Sequence, residues 1–337
     1  MRRVLRAAMA ALFLVAAISG AAETFLFPTA NRALLEPGAE ERFFVGTAGK
    51  PWTSGQFGCV RSDGNQLHEG LDIRSVQRDR RGEPVDPVNA TADGVVAYVN
   101  SRSGLSNYGN YVALRHSIEG LEVYSLYAHL SAVRSGLKIG DRVQAGERIA
   151  TMGRTSNTRQ RITQDRAHCH FELDLVVNDR YARWHKDRLE GQRNDHGNFN
   201  GRNLMGFDPA AVLREQAKLG AAFSLVRYLQ SQPEMCRVMV RGKSLGWARR
   251  YPQFVQRNPV AEREGIAGYE LSLTFNGMPV RVIPRAASEM RSSAKVTLLS
   301  VNEAERERRP CGKLVFKRGQ VWTLLAHGQD LLDLLTY

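Results

Sequence analysis

Residues 167–177 read Ala167-His168-Cys169-His170-Phe171-Glu172-Leu173-Asp174-Leu175-Val176-Val177. The run is β-rich with partial two-residue alternation. In an extended strand, residues two apart share a face. His168 and His170 therefore face one way and Cys169 the other. Working outward, Thr91–Asn100, Asn110–Arg115 and Leu121–Leu130 are further β-rich segments between Gly-rich turns. Short strands at this spacing predict an antiparallel sandwich or barrel.

Two other pieces carry chemistry: His68-Glu69-Gly70-Leu71-Asp72 and Tyr127-Ala128-His129-Leu130. If extended, the first puts His68 and Asp72 on one face, while Glu69 turns to the other. Imidazole nitrogen and carboxylate oxygen are good zinc ligands, and a catalytic zinc keeps three protein ligands and an open position. Two neutral His and one Asp leave such a site with a net charge of about +1, which keeps the metal Lewis-acidic. The constellation holds four His and one Asp, so two His remain for proton transfer or for stabilising developing charge.

These segments resemble the lysostaphin-like, or β-lytic, zinc metallopeptidase family, which cuts peptide bonds in peptidoglycan. The family pattern is H-x-G-x-D or H-x-x-x-D, a strand ending near Y-A-H-L, then H-x-H-F-E. Gly109-Asn110-Tyr111-Val112, the run from Gly140 to Gly146 and Asp208-Pro209 match as well, in family order. The resemblance implies His68, Asp72 and His170 as ligands of one Zn²⁺ per chain. It implies His129 and His168 as the non-ligand catalytic pair, general base or acid and transition-state stabiliser, without saying which is which. It also implies an all-β catalytic domain of two antiparallel sheets. The chain departs from the pattern in two loops. Arg154–Arg166 is longer and more basic than the usual Gly/Ser-rich turn, and Asn178–Asn203 lengthens the link to Asp208-Pro209. Both read as surface loops able to wall or cover a groove.

Other titratable groups are given lesser parts. His116 is expected to close the strand Asn110–Arg115. Glu172 has the parity to face the site and is assigned to a strand end or an outer supporting role. Tyr127 shares parity with His129 and fits either the site or packing. Asp141 shapes a turn, and His185, His196 and His327 receive no role. The Gly140–Ala150 run also resembles lipoyl-carrier hairpins, but it lacks a Lys at a hairpin tip.

The chain has 337 residues and a formal charge of +13. Ordinary globular composition excludes a wholly disordered or collagen-like chain. Residues 1–21 read as a signal peptide: basic Arg2, Arg3 and Arg6, an apolar run from Ala7 to Ile18, then small residues. That run is too short to span a bilayer, so no transmembrane anchor is expected after cleavage. Export to a periplasm, the cell wall or the medium permits disulfides. Of Cys59, Cys169, Cys236 and Cys311, our reading favours Cys236 with Cys311, leaving Cys59 and Cys169 paired or reduced.

The expected organisation is a lead-in at 22–47, a peptidase domain at 48–216, a helical linker at 217–233 and a mixed, β-rich C-terminal domain at 234–337. Asp208-Pro209 predicts an N-cap and first turn for a helix running from Ala210 to about Gln230. Asn276-Gly277 and Arg318-Gly319 predict hairpins, and Gln329–Tyr337 a short apolar helix. The expected activity is zinc-dependent hydrolysis of peptidoglycan stem peptides or cross-links. The alternative is a non-catalytic, wall-binding regulator of another hydrolase. A nucleic-acid partner is not expected, because no matching motif accompanies the charge. The sequence leaves the oligomeric state open.

Overall fold

A computed structural model describes residues 24–159 and 161–337. The signal-peptide reading of residues 1–21 falls outside the described residues. Among those described, no helix is long and apolar enough to cross a membrane.

The N-terminal part holds twelve strands: β1 (Gly58–Arg61), β2 (Gln66–His68), β3 (Leu71–Arg74), β4 (Pro87–Asn89), β5 (Gly94–Asn100), β6 (Tyr111–Ile118), β7 (Leu121–Ala128), β8 (Ala132–Val133), β9 (Arg142–Val143), β10 (Arg148–Thr151), β11 (His168–Val176) and β12 (Leu204–Phe207). They form an antiparallel sheet ordered β12-β11-β7-β6-β5-β9, with β3 also on β11, a small sheet β4-β10-β8, and the hairpin β1-β2. One edge of β11 is shared: His168–Phe171 pair with β3, and Leu173–Val176 pair with β12. The N-terminal part is thus mostly β, built on antiparallel sheets as expected.

Alternation along these strands separates two environments. Val112 and Leu114 of β6, Val123 and Tyr127 of β7, and Cys169, Phe171, Leu173 and Leu175 of β11 enter the main core. Tyr111, Tyr124, Leu126, Ala128, Val176 and Leu204 point the other way into a smaller cluster with Tyr98, Tyr108 and Phe199. His168, His170, Glu172 and Asp174 share parity with this second face. Both faces are buried, so every residue of β11 is buried.

The C-terminal part contains β13 (Cys236–Arg241), β14 (Gly268–Leu273), β15 (Pro279–Arg285) and β16 (Val296–Val301), ordered β15-β14-β13-β16, and the hairpin of β17 (Val315–Arg318) and β18 (Val321–Leu324). Both expected hairpins form, with Gly277 at φ 95° and Gly319 at φ 60°, the left-handed region that Gly supplies cheaply. The expected terminal helix runs Ala326–Thr336. One apolar core runs from Phe25 to Leu335.

Several expectations are corrected. The disulfide joins Cys59 to Cys311, whose Cα atoms lie 5.2 Å apart. Cys236, expected as the partner of Cys311, is a free thiol at the buried start of β13, and Cys169 is also free and buried. Asp208 caps its helix, accepting from the Ala210 and Ala211 amides at 2.9 and 3.1 Å. That helix ends at Leu219, however, because Gly220 takes φ 53°, and Ser224 caps a separate helix at Leu225–Gln230. Asn178–Asn203 is more than a surface loop. It holds the helix Tyr181–Arg188, whose Tyr181 and Trp184 are buried. The lead-in packs with the rest: Phe25, Phe27, Phe43 and Phe44 all enter the core.

Candidate metal centre and groove

Three elements bring His68, Asp72 and His170 together. β2 ends at His68, the chain turns through Glu69 and Gly70, and β3 delivers Asp72 opposite His170 in the β3–β11 register. Gly70 makes the turn possible. A Cβ there would stand 2.4 Å from the Phe171 carbonyl oxygen, so no larger residue fits beside β11. All three side chains are buried.

The hydrogen bonds fix which ring nitrogens are bare. His68 Nδ1 lies 2.7 Å from the Gln56 carbonyl oxygen, which can only accept, so Nδ1 carries the proton. His170 Nε2 lies 2.7 Å from Glu172 Oε1 and likewise donates. The remaining lone pairs, His68 Nε2 and His170 Nδ1, are 3.2 Å apart and lie 3.2 and 3.0 Å from Asp72 Oδ1. Three acceptors this close repel one another unless a cation or a proton sits among them. Ligands at about 2.05 Å on a tetrahedral cation stand roughly 3.3 Å apart, so the spacing suits one. These residues form the group of His, Cys and carboxylate side chains that could hold a metal ion among the described residues.

Electrostatics agree. Burial opposes charge on Asp72, yet the His168 and His68 rings around it hold its carboxyl well below the usual range. Arg61 Nη2 adds a charge-assisted bond to Asp72 Oδ2 at 2.6 Å. Burial also opposes a proton on His170, but hydrogen bonds to Asp72 and Glu172 outweigh it and raise that ring to about 10. The pocket therefore attracts positive charge.

His129 and His168 stand beside this cluster, their ring centroids 4.8 Å apart. His129 follows β7 with φ 59°, a strained setting for a side chain with a Cβ. Its Nδ1 donates to Thr155 O at 2.8 Å. Gly153 lets that loop close in, since a Cβ there would meet the Ser131 amide nitrogen at 2.3 Å. Burial, then the His168 and His170 rings, lowers His129 well below the usual His value. His168 Nδ1 donates to Arg166 O at 2.6 Å, and its Nε2 lies 3.4 Å from Asp72 Oδ1.

All five sit on a groove of about 860 Å³. Ser156, Thr158 and Ile162 of the first long loop line it, as do His196, Asn200 and Arg202 of the second.

Other expectations resolve plainly. Of the two parts given to Glu172, the structure shows the supporting one: it is mid-strand and bonded to His170. Glu69 was expected to face away. The turn instead places it on the groove, where burial and the nearby Glu172 raise its carboxyl. His116 does not close a strand. It is buried within β6 and hydrogen-bonds Ser125 Oγ at 2.7 Å. Tyr127 packs in the core, its hydroxyl accepting from the Thr91 amide at 2.8 Å. Asp141 shapes a turn, accepting from the Lys138 amide. His196, given no role, lines the groove and hydrogen-bonds Tyr98 Oη at 2.9 Å.

Sequence reasoning missed Arg61, Tyr108 and Asp174. Tyr108 lies over His170 at 5.8 Å between ring centroids, and burial, then the charges of Glu172 and Glu69, keep its phenol protonated. Asp174 is fully buried behind Glu172, and burial together with that neighbour pushes its carboxyl well up. Only Asp174 carried a signal, its parity with His170.

A mostly β scaffold thus presents two His and one Asp at a spacing that could hold a metal ion, flanked by two further His. Residues 66–182 match the model of peptidase family M23. The chain is 35% identical over 110 residues to the DD-carboxypeptidase/endopeptidase Mpg of Neisseria meningitidis, covering 33% of this chain and 20% of that protein. It is 34% identical over 106 residues to the murein hydrolase activator NlpD of Escherichia coli, covering 32% and 22%. The match thus spans about a fifth of either relative's length. Among solved structures, the catalytic domain of lysostaphin from Staphylococcus simulans aligns with 21% identity over 48% of this chain and 87% of that one, at a TM-score of 0.29.

Proposed function

We propose that this chain is an exported zinc metalloendopeptidase that hydrolyses peptide bonds in peptidoglycan, with one zinc held by His68 Nε2, Asp72 and His170 Nδ1. The observation that carries the reading is the convergence of two bare imidazole nitrogens and a carboxylate oxygen within 3.2 Å. Bound there, zinc supplies Lewis acidity toward a carbonyl and toward water.

The chain's own groups do the rest. His129 is the general base: Thr155 holds its Nδ1 proton, its Nε2 is bare, and its lowered pKa keeps it neutral near pH 7. His168, oriented by Arg166 O and facing Asp72, stabilises negative charge that develops on the substrate carbonyl oxygen. Arg61 holds Asp72 in one orientation through its second oxygen. The long loops 154–166 and 178–203 wall the groove and select substrate. A disulfide fits an oxidising compartment, which supports export.

The regulatory alternative rests on the similarity to a hydrolase activator. The presence of all five metal-site and flanking side chains favours the enzyme. Purified sacculi incubated with the mature protein, with and without a zinc chelator, test this by mass spectrometry of the soluble fragments. Chelator-sensitive release of fragments with new amino termini is expected. Intact sacculi with zinc-loaded, folded protein would reject the reading.

A further inference from the structure

Two guanidinium groups share one corner of the groove, and between them they make a single ion pair among the described residues. Arg61 of β1 and Arg166, at the end of the first long loop, both line it. Arg61 spends one terminal nitrogen on Asp72, and its buried Nε has no acceptor among the described residues. Arg166 donates its Nε to the Gly46 carbonyl oxygen at 3.0 Å, which aims the guanidinium. Its two terminal nitrogens meet no carboxylate among the described residues. The two cations feel each other: burial lowers Arg166, the Arg61 charge adds to that, and the carboxylates of Asp72 and Asp165 work against it without forming an ion pair with its terminal nitrogens. Asp72 acts on both, but its oxygens already face the metal site, while Asp165 beside Arg166 and Glu69 near Arg61 make no ion pair with either guanidinium.

A buried donor without an acceptor is costly, and two repelling guanidinium groups are costlier. Natural sites carry such a cost where a ligand removes it. The guanidinium fork matches a carboxylate. We propose that Arg166, with Arg61 beside it, binds a free carboxylate of the substrate next to the scissile bond. The proposal rests on the peptidase reading and narrows it. The substrate class is a peptide cross-link through a diamino acid with a free carboxylate, rather than a neutral glycyl bridge. Carboxylate binding places the chain in register with the metal site and discriminates against an uncharged isostere, because a site built for a charged partner loses its bonds when that partner is absent.

Two synthetic cross-linked peptides test this, identical except that the diamino acid bears a free carboxylate in one and a carboxamide in the other. With zinc-loaded full chain, kcat/KM favours the carboxylate by about tenfold or more. R166Q reduces that ratio to within about twofold, and R166K, which keeps the charge without the fork, falls between. Equal rates in the wild type overturn the proposal, and this arm needs no variant. A ratio unchanged in folded R166Q overturns it as well. Calorimetric binding of the same two compounds separates this failure from failure of the peptidase reading. If neither peptide is cleaved, the peptidase reading fails. A carboxylate preference in binding that R166Q removes still supports the corner, and its absence overturns it.

Discussion

His170 Nε2 lies 2.7 Å from Glu172 Oε1, and that contact turns the opposite ring nitrogen toward Asp72 Oδ1 at 3.0 Å. Two residues of one strand face, i and i+2, thus set the tautomer and aim of the central ring. Supporting carboxylates of this kind typically affect metal affinity about 10–100-fold. Glu172→Gln is expected to weaken zinc binding by that factor while the fold persists. Competition against a chromophoric chelator measures it, and unchanged affinity would deny Glu172 this part.

His129→Ala is expected to lower kcat/KM by about 10²–10⁴-fold, the usual worth of a positioned base, with zinc content unchanged. His129 has a lowered pKa, so it loses its proton below the ordinary His value and works as a base above it. The rate should therefore rise through an acid limb below pH 6.5, the ordinary value for His. A pH–rate profile checks this. An identical limb in the variant would assign the titration elsewhere.

The Cys59–Cys311 bond closes a chain separation of 252 residues, from the strand preceding the groove to the C-terminal part. Native disulfides typically contribute about 2–5 kcal/mol. The C59A/C311A pair should lower stability to denaturant by that order. Equal unfolding midpoints for the two proteins would contradict it.

Asp333 ties the terminal helix to Trp184, Arg188 and Lys295. Burial would raise its pKa, but the bonds to Arg188, Lys295 and Trp184 bring it down to about 2. A depressed folded-state value stabilises the fold above the unfolded value, and the gain disappears as pH falls through about 2. Asp333→Asn should therefore cost about 1 kcal/mol near pH 7, after discounting for solvent screening. The melting difference should shrink as the pH drops from 4 toward 2, and a difference independent of pH would rule the linkage out.

Gly70→Ala should be among the most damaging single-methyl changes, because the Phe171 carbonyl oxygen is 2.4 Å from the added carbon. Separation of β3 from β11 would move Asp72 off His170. A loss of about 2–4 kcal/mol is expected, with zinc content falling too. Wild-type melting and zinc content in the variant would refute this.

The strand alternation that placed His168 and His170 on one face was legible, because a strand has one strict period and β11 is a strand throughout. His68 and Asp72 do converge, but through the turn at Glu69 and Gly70 and the register of β3 on β11 rather than through one extended strand. That turn is why Glu69 was misjudged: parity fails where the backbone leaves the strand. Arg61 was invisible because its partner Asp72 lies across a hairpin, and nothing local marks an ion pair of that kind. The helix Tyr181–Arg188 was missed because its polar surface hides how few apolar residues, Tyr181 and Trp184, suffice to dock it. Cys59 and Cys311 meet through the packing of two distant parts, which residue spacing does not encode.

The central claim is that His68, Asp72 and His170 hold a zinc on which peptide hydrolysis depends. Elemental analysis and fragment release from cross-linked peptidoglycan, run side by side on the wild type and Asp72→Ala, test it most directly. The account predicts one zinc per chain and new amino termini for the wild type, and neither for the variant. Hydrolysis that persists after exhaustive metal removal, or zinc-loaded wild type that frees no new amino termini, would contradict it.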